Sequence, residues 1–213
     1  MPSGNTYKIK TRRRNLFLRV SKGHFATSHS HINYYIDVTT QKTRLSEAKA
    51  VAEELVSYYN QNTIVDTILC LDGTEVIGAC IASQLTQEGY ANINAHQTVY
   101  VITPEHTVGS QLLFRDNIVP SIVGKHVLVL AASVTTGFTA QAAVEAIQYY
   151  GGTVVGVCAI FSTADTCMGY PVQSVFSTRD LSDYESFVSH ECPLCKAGKK
   201  VDALVNSFGY SKL

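Results

Sequence analysis

VLVLAASVTTGFTAQAAVEAIQYY, Val127–Tyr150, is the stretch whose reading decides the fold. Val127–Leu130 is an unbroken apolar run, the pattern of a strand covered on both faces in a parallel sheet. Ser133–Thr139 (SVTTGFT) concentrates hydroxyls around one glycine. A helix then follows from near Ala140, with Ala142, Ala143, Ala146 and Ile147 on one side. A turn of this kind at the positive end of a helix dipole collects backbone N–H groups and hydroxyls around one point, which suits a phosphate. The competing reading is a plain strand–helix connection that is N-capped by Thr.

The same alternation of strand and helix extends outward. Ser46–Tyr59 carries Ala48, Val51, Ala52, Leu55 and Val56 at helical steps, with Ser46 as the expected N-cap. Thr67–Leu71 reads as a strand, Asp72-Gly73-Thr74-Glu75 as a turn, and Val76–Leu85 as an apolar helix. Residues 15–20 read as a short strand or a helix turn, and further strands are expected at Tyr34–Val38, Gln97–Thr103, Thr153–Phe161 and Val172–Phe176. Pro104–Val123 has no clean period and reads as a long loop, of a length often reserved for function. The fold class is therefore α/β: a mostly parallel sheet flanked by helices, with a small N-terminal cap and a C-terminal extension. Composition places the boundary between a main domain, 1–181, and the extension, 182–213. Ligands of such sheets bind beyond the carboxyl ends of the strands, where both the Asp72–Glu75 and Ser133–Thr139 turns fall.

Composition limits the function classes. The chain has 213 residues, 46% of them hydrophobic, enough for a full core. Formal net charge is zero, so bulk electrostatics point to neither nucleic acid nor a membrane. No apolar run reaches spanning length and the first residues lack a signal core, so a cytoplasmic protein is expected. The basic run Arg12–Arg14 reads as a solvated terminus.

Of six cysteines, Cys70, Cys80 and Cys158 lie in apolar stretches and read as buried thiols, while Cys167 reads as a loop residue. HECPLCKAGKK brings His190, Cys192 and Cys195 together. Cys-x-x-Cys is half of a tetrahedral zinc site, so a structural Zn²⁺ held by these three is one reading; a redox pair or two structural thiols are the others. His24, His29 and His31 fall within eight residues, but local sequence supplies no further ligand, and a surface or loop role is the expectation.

Residues 15–162 resemble the type I phosphoribosyltransferases, and within them the orotate phosphoribosyltransferases. VLVLAASVTTGFT lines up without gaps with the family's signature for phosphoribosyl pyrophosphate: four apolar residues, two acids, two apolar residues, then Thr-Thr-Gly-x-Thr. HFATSHSHINYYID is similar to the family's opening strand pair, ILCLDGTEVIGACIASQL to its pyrophosphate loop and following helix, and GKHVLVL and YYGGTVVGVCAIF to the flanks of the signature. The resemblance implies a 5′-phosphate grip at Ser133, Val134, Thr135, Thr136, Gly137, Phe138 and Thr139. It implies a pyrophosphate loop at Asp72, Gly73, Thr74 and Glu75, where Glu75 repels pyrophosphate unless a metal or Lys intervenes. It also implies a homodimer and, for an active enzyme, a glycosyltransferase of pyrimidine biosynthesis that uses Mg²⁺.

Two departures stand out. Ala131 and Ala132 replace the acids that accept hydrogen bonds from the ribose hydroxyls, bonds worth roughly 1.5–3 kcal/mol each. Thr103–Asn117, matching the mobile catalytic loop, has no Lys, one Arg (Arg115) and one His (His106). Three functions are consistent with the pattern: a phosphoribosyltransferase of the orotate type, a non-catalytic nucleotide or sugar-phosphate sensor on the same fold, and a metal-binding interaction protein that uses the C-terminal Cys pair.

Overall fold

The computed structural model describes residues 6–10, 16–59, 62–87, 92–95, 98–107 and 111–213. Arg12–Arg14, Asn15 and Gln97 lie outside the described residues. In chain order the strands are β1 (Thr6–Lys10), β2 (Phe17–Ala26), β3 (His31–Asp37), β4 (Thr67–Cys70), β5 (Tyr100–Ile102), β6 (Glu105–His106), β7 (Leu112–Leu113), β8 (His126–Val134), β9 (Thr153–Ser162), β10 (Thr166–Cys167), β11 (Tyr170–Ser177), β12 (Ser186–Phe187), β13 (Ala203–Asn206) and β14 (Gly209–Lys212). The helices are α1 (Thr39–Thr43), α2 (Leu45–Val56), α3 (Glu75–Leu85), α4 (Phe138–Tyr149) and α5 (Pro193–Lys196). No helix among the described residues is long and apolar enough to cross a membrane.

Two compact units emerge, and the chain leaves the first and returns to it: residues 1–40 join 176–213, and 41–175 form the second. Strand pairing across the length of the chain, of β12 with β3 and of β13 with β2, builds the first unit.

The second unit is the α/β body. Its sheet runs β10-β11-β9-β8-β4-β5, in which β5, β4, β8 and β9 run parallel to one another. β8 lies inside this set and is buried from Val127 to Ala132, which is why that run is apolar without alternation. Val127, Val129, Ala131 and Val134 pack with Ala140, Ala143, Val144 and Ile147 of α4 in one core. α2 starts one residue earlier than expected: Arg44, with extended backbone, is the N-cap, and its carbonyl accepts the Glu47 and Ala48 amides. Ser46 is therefore inside the helix.

The long segment after Pro104 is more ordered than its sequence suggested. β6 and β7 pair antiparallel, Glu105 opposite Leu113 and His106 opposite Leu112. Arg115 clamps Glu105 through bonds of 2.7 and 3.0 Å. Cys167 lies in the short β10 and is buried.

The first unit is a sheet ordered β12-β3-β2-β13-β14, with β1 on β2. β13 joins β2 in parallel at Ala203 opposite Phe25. Phe25, Ile32, Tyr35, Ala203 and Val205 form its core.

Candidate functional site

The candidate ligand site of the α/β body lies at the carboxyl ends of β8 and β4. β8 extends through Val134, so Ser133 and Val134 belong to the strand, and the Val134 side chain is part of the core. The turn proper is Thr135-Thr136-Gly137. Gly137 caps α4 with φ +79°, the left-handed region, and nothing lies within 4 Å of where a Cβ would stand. Glycine is required there for its dihedral and not for space.

The carbonyl side of the turn is fixed from β9. Thr163 donates its amide to Val134 O at 2.9 Å and its hydroxyl to Thr135 O at 2.9 Å, and Ser162 Oγ donates to Val134 O at 3.2 Å. The first backbone bond of α4 runs from Gln141 N–H to Gly137 O at 2.8 Å. The amides of Thr139 and Ala140 precede it, so neither has an acceptor within the helix. Thr136 and Thr139 are exposed. A pinned turn, two exposed threonine hydroxyls and the positive end of a twelve-residue helix make a coherent anion grip.

The β4–α3 turn stands beside it. Asp72 has φ +58° and Gly73 φ +76°, two successive left-handed residues that fold the chain back sharply. A non-glycine residue in this region is uncommon, though Asp tolerates it better than most. Thr74 is fully buried, and its hydroxyl donates to Leu71 O at 2.8 Å and Leu130 O at 3.1 Å. Of the four loop residues expected at a pyrophosphate, Thr74 thus commits its hydroxyl to holding β4 against β8.

Sequence reading missed Lys42. Its buried ammonium donates to the Asp72 carbonyl at 2.7 Å. The Cβ position of Gly73 is 3.8 Å from Lys42 Nζ and 4.0 Å from Glu75 Oε2. A cation thus reaches the Asp72–Glu75 turn from α1, thirty residues before Asp72, on a lysine with no motif around it.

Ala131 and Ala132 are buried, 1% and 5% exposed. A carboxyl group nevertheless approaches this place from the β4–α3 turn: the Ala132 amide is among the groups that act on the Asp72 carboxyl. Burial pushes the Asp72 carboxyl above its usual range, and the Ala132 amide, Lys42 and His106 pull it partly back. His106 of the matching catalytic loop is thus electrostatically coupled to the turn. Arg115 of that loop is paired with Glu105, whose carboxyl that hydrogen bond holds below its usual range.

A second constellation lies in the first unit. His24, His31, Cys192 and Cys195 place His24 Nε2, His31 Nδ1 and the two Sγ atoms within 4.8 Å of one another. His190 is not among them. Its side chain is 78% exposed and faces Glu191 at 3.6 Å, because it precedes the α5 turn that aims the two thiols at β2 and β3. The side chains that gather around the two thiols are therefore His24 and His31, while His29 is exposed. Burial and the neighbouring Cys192 raise the Cys195 thiol, and burial with His24 lowers His31.

No family model matches the chain. Orotate phosphoribosyltransferase from Chlorobium phaeobacteroides is 26% identical over 189 residues, covering 85% of this chain and 86% of that protein. The one from Chlorobaculum parvum is 27% identical over 183 residues, with the same coverage. Among solved structures, Mycobacterium tuberculosis orotate phosphoribosyltransferase superposes with a TM-score of 0.52 at 21% identity, over 77% of this chain and 92% of that one. Leishmania donovani UMP synthase gives 0.53 at 19% identity, over 76% of this chain and 34% of that one. The structural likenesses carry the fold, and the sequence relatives agree with them. The chain has the type I phosphoribosyltransferase fold and is similar in sequence to the orotate phosphoribosyltransferases.

Proposed function

We propose that the α/β body binds a 5′-phosphorylated ribosyl ligand, a nucleotide or sugar phosphate, and acts as a binding protein and not as a pyrophosphate-displacing transferase. The phosphate sits on Thr135–Thr139, where helix dipole, backbone amides and hydroxyls converge on a dianion. The observation that carries the reading is the contrast at one strand end. The phosphate turn is built and pinned, while the two positions ahead of it are buried methyl groups that accept no hydrogen bond from a ribose. The pairing of Arg115 with Glu105 points the same way, because transfer at the anomeric carbon needs cations aimed at the departing pyrophosphate. By resemblance to the orotate enzymes, the protein works as a cytoplasmic homodimer in pyrimidine nucleotide metabolism.

One set of contacts favours a second reading, retained transferase activity. Asp72 offers a ribose hydroxyl the carboxylate that Ala131 and Ala132 lack, and Lys42 offers the leaving group a positive charge. Asp72 and Glu75 are the hard oxygen donors present to hold Mg²⁺, whose chemistry there would be neutralisation of pyrophosphate charge.

Calorimetric titration with ribose 5-phosphate, uridine monophosphate and phosphoribosyl pyrophosphate with Mg²⁺ tests the binding claim. A pyrophosphate-release assay with orotate and with purine bases runs beside it. Binding of the phosphorylated ligands without release is expected. Turnover at ordinary enzymatic rates selects the second reading, and failure of every phosphorylated ligand to bind refutes both.

A further inference from the structure

We propose that His24, His31, Cys192 and Cys195 form a closed structural zinc site that ties the C-terminal segment to the N-terminal strand pair. The distances test this directly. A tetrahedral ion with Zn–N and Zn–S bonds of about 2.0–2.3 Å sets its ligand atoms about 3.3–3.8 Å apart. The observed separations are 3.0 Å for His24 Nε2 to His31 Nδ1 and 3.2 Å for His31 Nδ1 to Cys195 Sγ. His24 Nε2 is 3.5 Å from Cys192 Sγ and 3.6 Å from Cys195 Sγ. Four of the six edges thus lie near those of a tetrahedron and the other two are within 4.8 Å, and the two-nitrogen, two-sulfur set suits zinc.

The surroundings orient the ligands. His24 is fully buried, and its Nδ1 lies 2.8 Å from the Lys199 carbonyl. A carbonyl only accepts, so Nδ1 carries the proton and the Nε2 lone pair faces the cluster, the usual arrangement behind a metal-bound imidazole. The strand is held on its other side as well: the His24 amide donates to Asp202 Oδ2 at 2.7 Å, and the Asp202 amide to His24 O at 2.7 Å. Cys192 caps α5, Pro193 fixes the first helical residue, and Gly198, at φ +72°, closes the turn. This short knuckle presents both thiols on one side and delivers Lys199 O to the histidine. All four coordination positions come from protein atoms, which marks a structural site, since a catalytic zinc keeps one position open. The crosslink spans residues that are 168 and 171 apart in sequence, so it holds the two ends of the chain in one unit.

Metal analysis of the full chain, purified without chelator, should find one zinc per molecule. After stripping, Co²⁺ should give the intense visible bands of a tetrahedral site and a near-ultraviolet sulfur-to-cobalt charge-transfer band. This readout uses the native sequence and needs no variant to fold. Cys195→Ser, at an exposed position, should lose most of the zinc, while His190→Ala should keep it. A native chain that takes up neither metal, a six-coordinate cobalt spectrum, or loss of zinc in His190→Ala with retention in Cys195→Ser would each overturn the site.

Discussion

Replacing Lys42 by Met tests the electrostatics of the ligand site most sharply. The ammonium lies 3.8 Å from the Cβ position of Gly73 and donates to the Asp72 carbonyl, so it stands within the turn that the proposed site would present to a pyrophosphate. A phosphate charge about 5 Å from Nζ, at an effective dielectric near 20, gains about 3 kcal/mol per unit charge. Desolvation of the anion and competing solvent reduce this to a net of about 1–2 kcal/mol, a loss of roughly five- to thirtyfold in affinity. Met keeps most of the apolar stem, so packing of α1 is preserved and the thermal midpoint should move little.

The assay separates two ligands. Ribose 5-phosphate engages the Thr135–Thr139 grip alone, while phosphoribosyl pyrophosphate engages the Asp72–Glu75 turn as well. Calorimetry on Lys42→Met should show the five- to thirtyfold loss for phosphoribosyl pyrophosphate and less than about a twofold change for ribose 5-phosphate. Equal losses for both ligands would mean that Lys42 shapes the whole site. No loss for either would mean that the Asp72–Glu75 turn holds no pyrophosphate.

Two further outcomes follow from burial. Asp72 has its folded carboxyl pKa raised, first by burial, so its favourable contribution to stability is complete below the unfolded pKa and is lost as pH rises through the folded value; the urea-midpoint advantage of Asp72→Asn over the native chain should therefore be larger at about pH 7 than at about pH 4, and a constant difference would refute the assignment. In Gly78→Ala, a Cβ would collide with Cys70 Sγ and press on Val101 Cγ1 at 3.2 Å, so α3 must shift off the sheet; calorimetric melting should register a loss of about 1–3 kcal/mol, and an unchanged midpoint would show that the contact gives way freely.

The sheet was legible because its strands carry their burial in their own sequence. Val127–Leu130, Thr67–Leu71 and Thr153–Phe161 are apolar runs, and the structure places each in the parallel core. Helices α2, α3 and α4 were legible for the complementary reason: their apolar residues recur at helical steps and face that sheet. The misreadings share a different cause. Ser46 failed as a cap because backbone geometry at Arg44 decides the start of α2. The β6–β7 pair is two residues long on each side and shows no period. Lys42 sits in a short helix without a pattern and matters only through where β4 ends. The zinc ligands divide between residue pairs 24, 31 and 192, 195, so each pair alone was weak; their meeting depends on β13 docking beside β2, a pairing that leaves no local signature.

The alanines at 131 and 132 take on a different meaning once Asp72 is seen beside them. β4 and β8 run in parallel register, Cys70 opposite Leu130, and the Leu71 amide donates to Leu130 O. Asp72, two residues beyond the end of β4, therefore arrives level with the acid positions of β8, where the Ala132 amide acts on its carboxyl. A second carboxylate at 131 or 132 would stand against this buried one, with the repulsion that drives one member of such a pair to hold its proton. Lys42, whose ammonium donates to the Asp72 carbonyl, supplies positive charge there, and Ala131 is packed in the apolar core beneath. The ribose end of the site therefore carries one carboxyl group, from the β4–α3 turn, where the family signature has two on the strand, and any ligand it accepts must be satisfied by a single acceptor that burial makes easier to protonate.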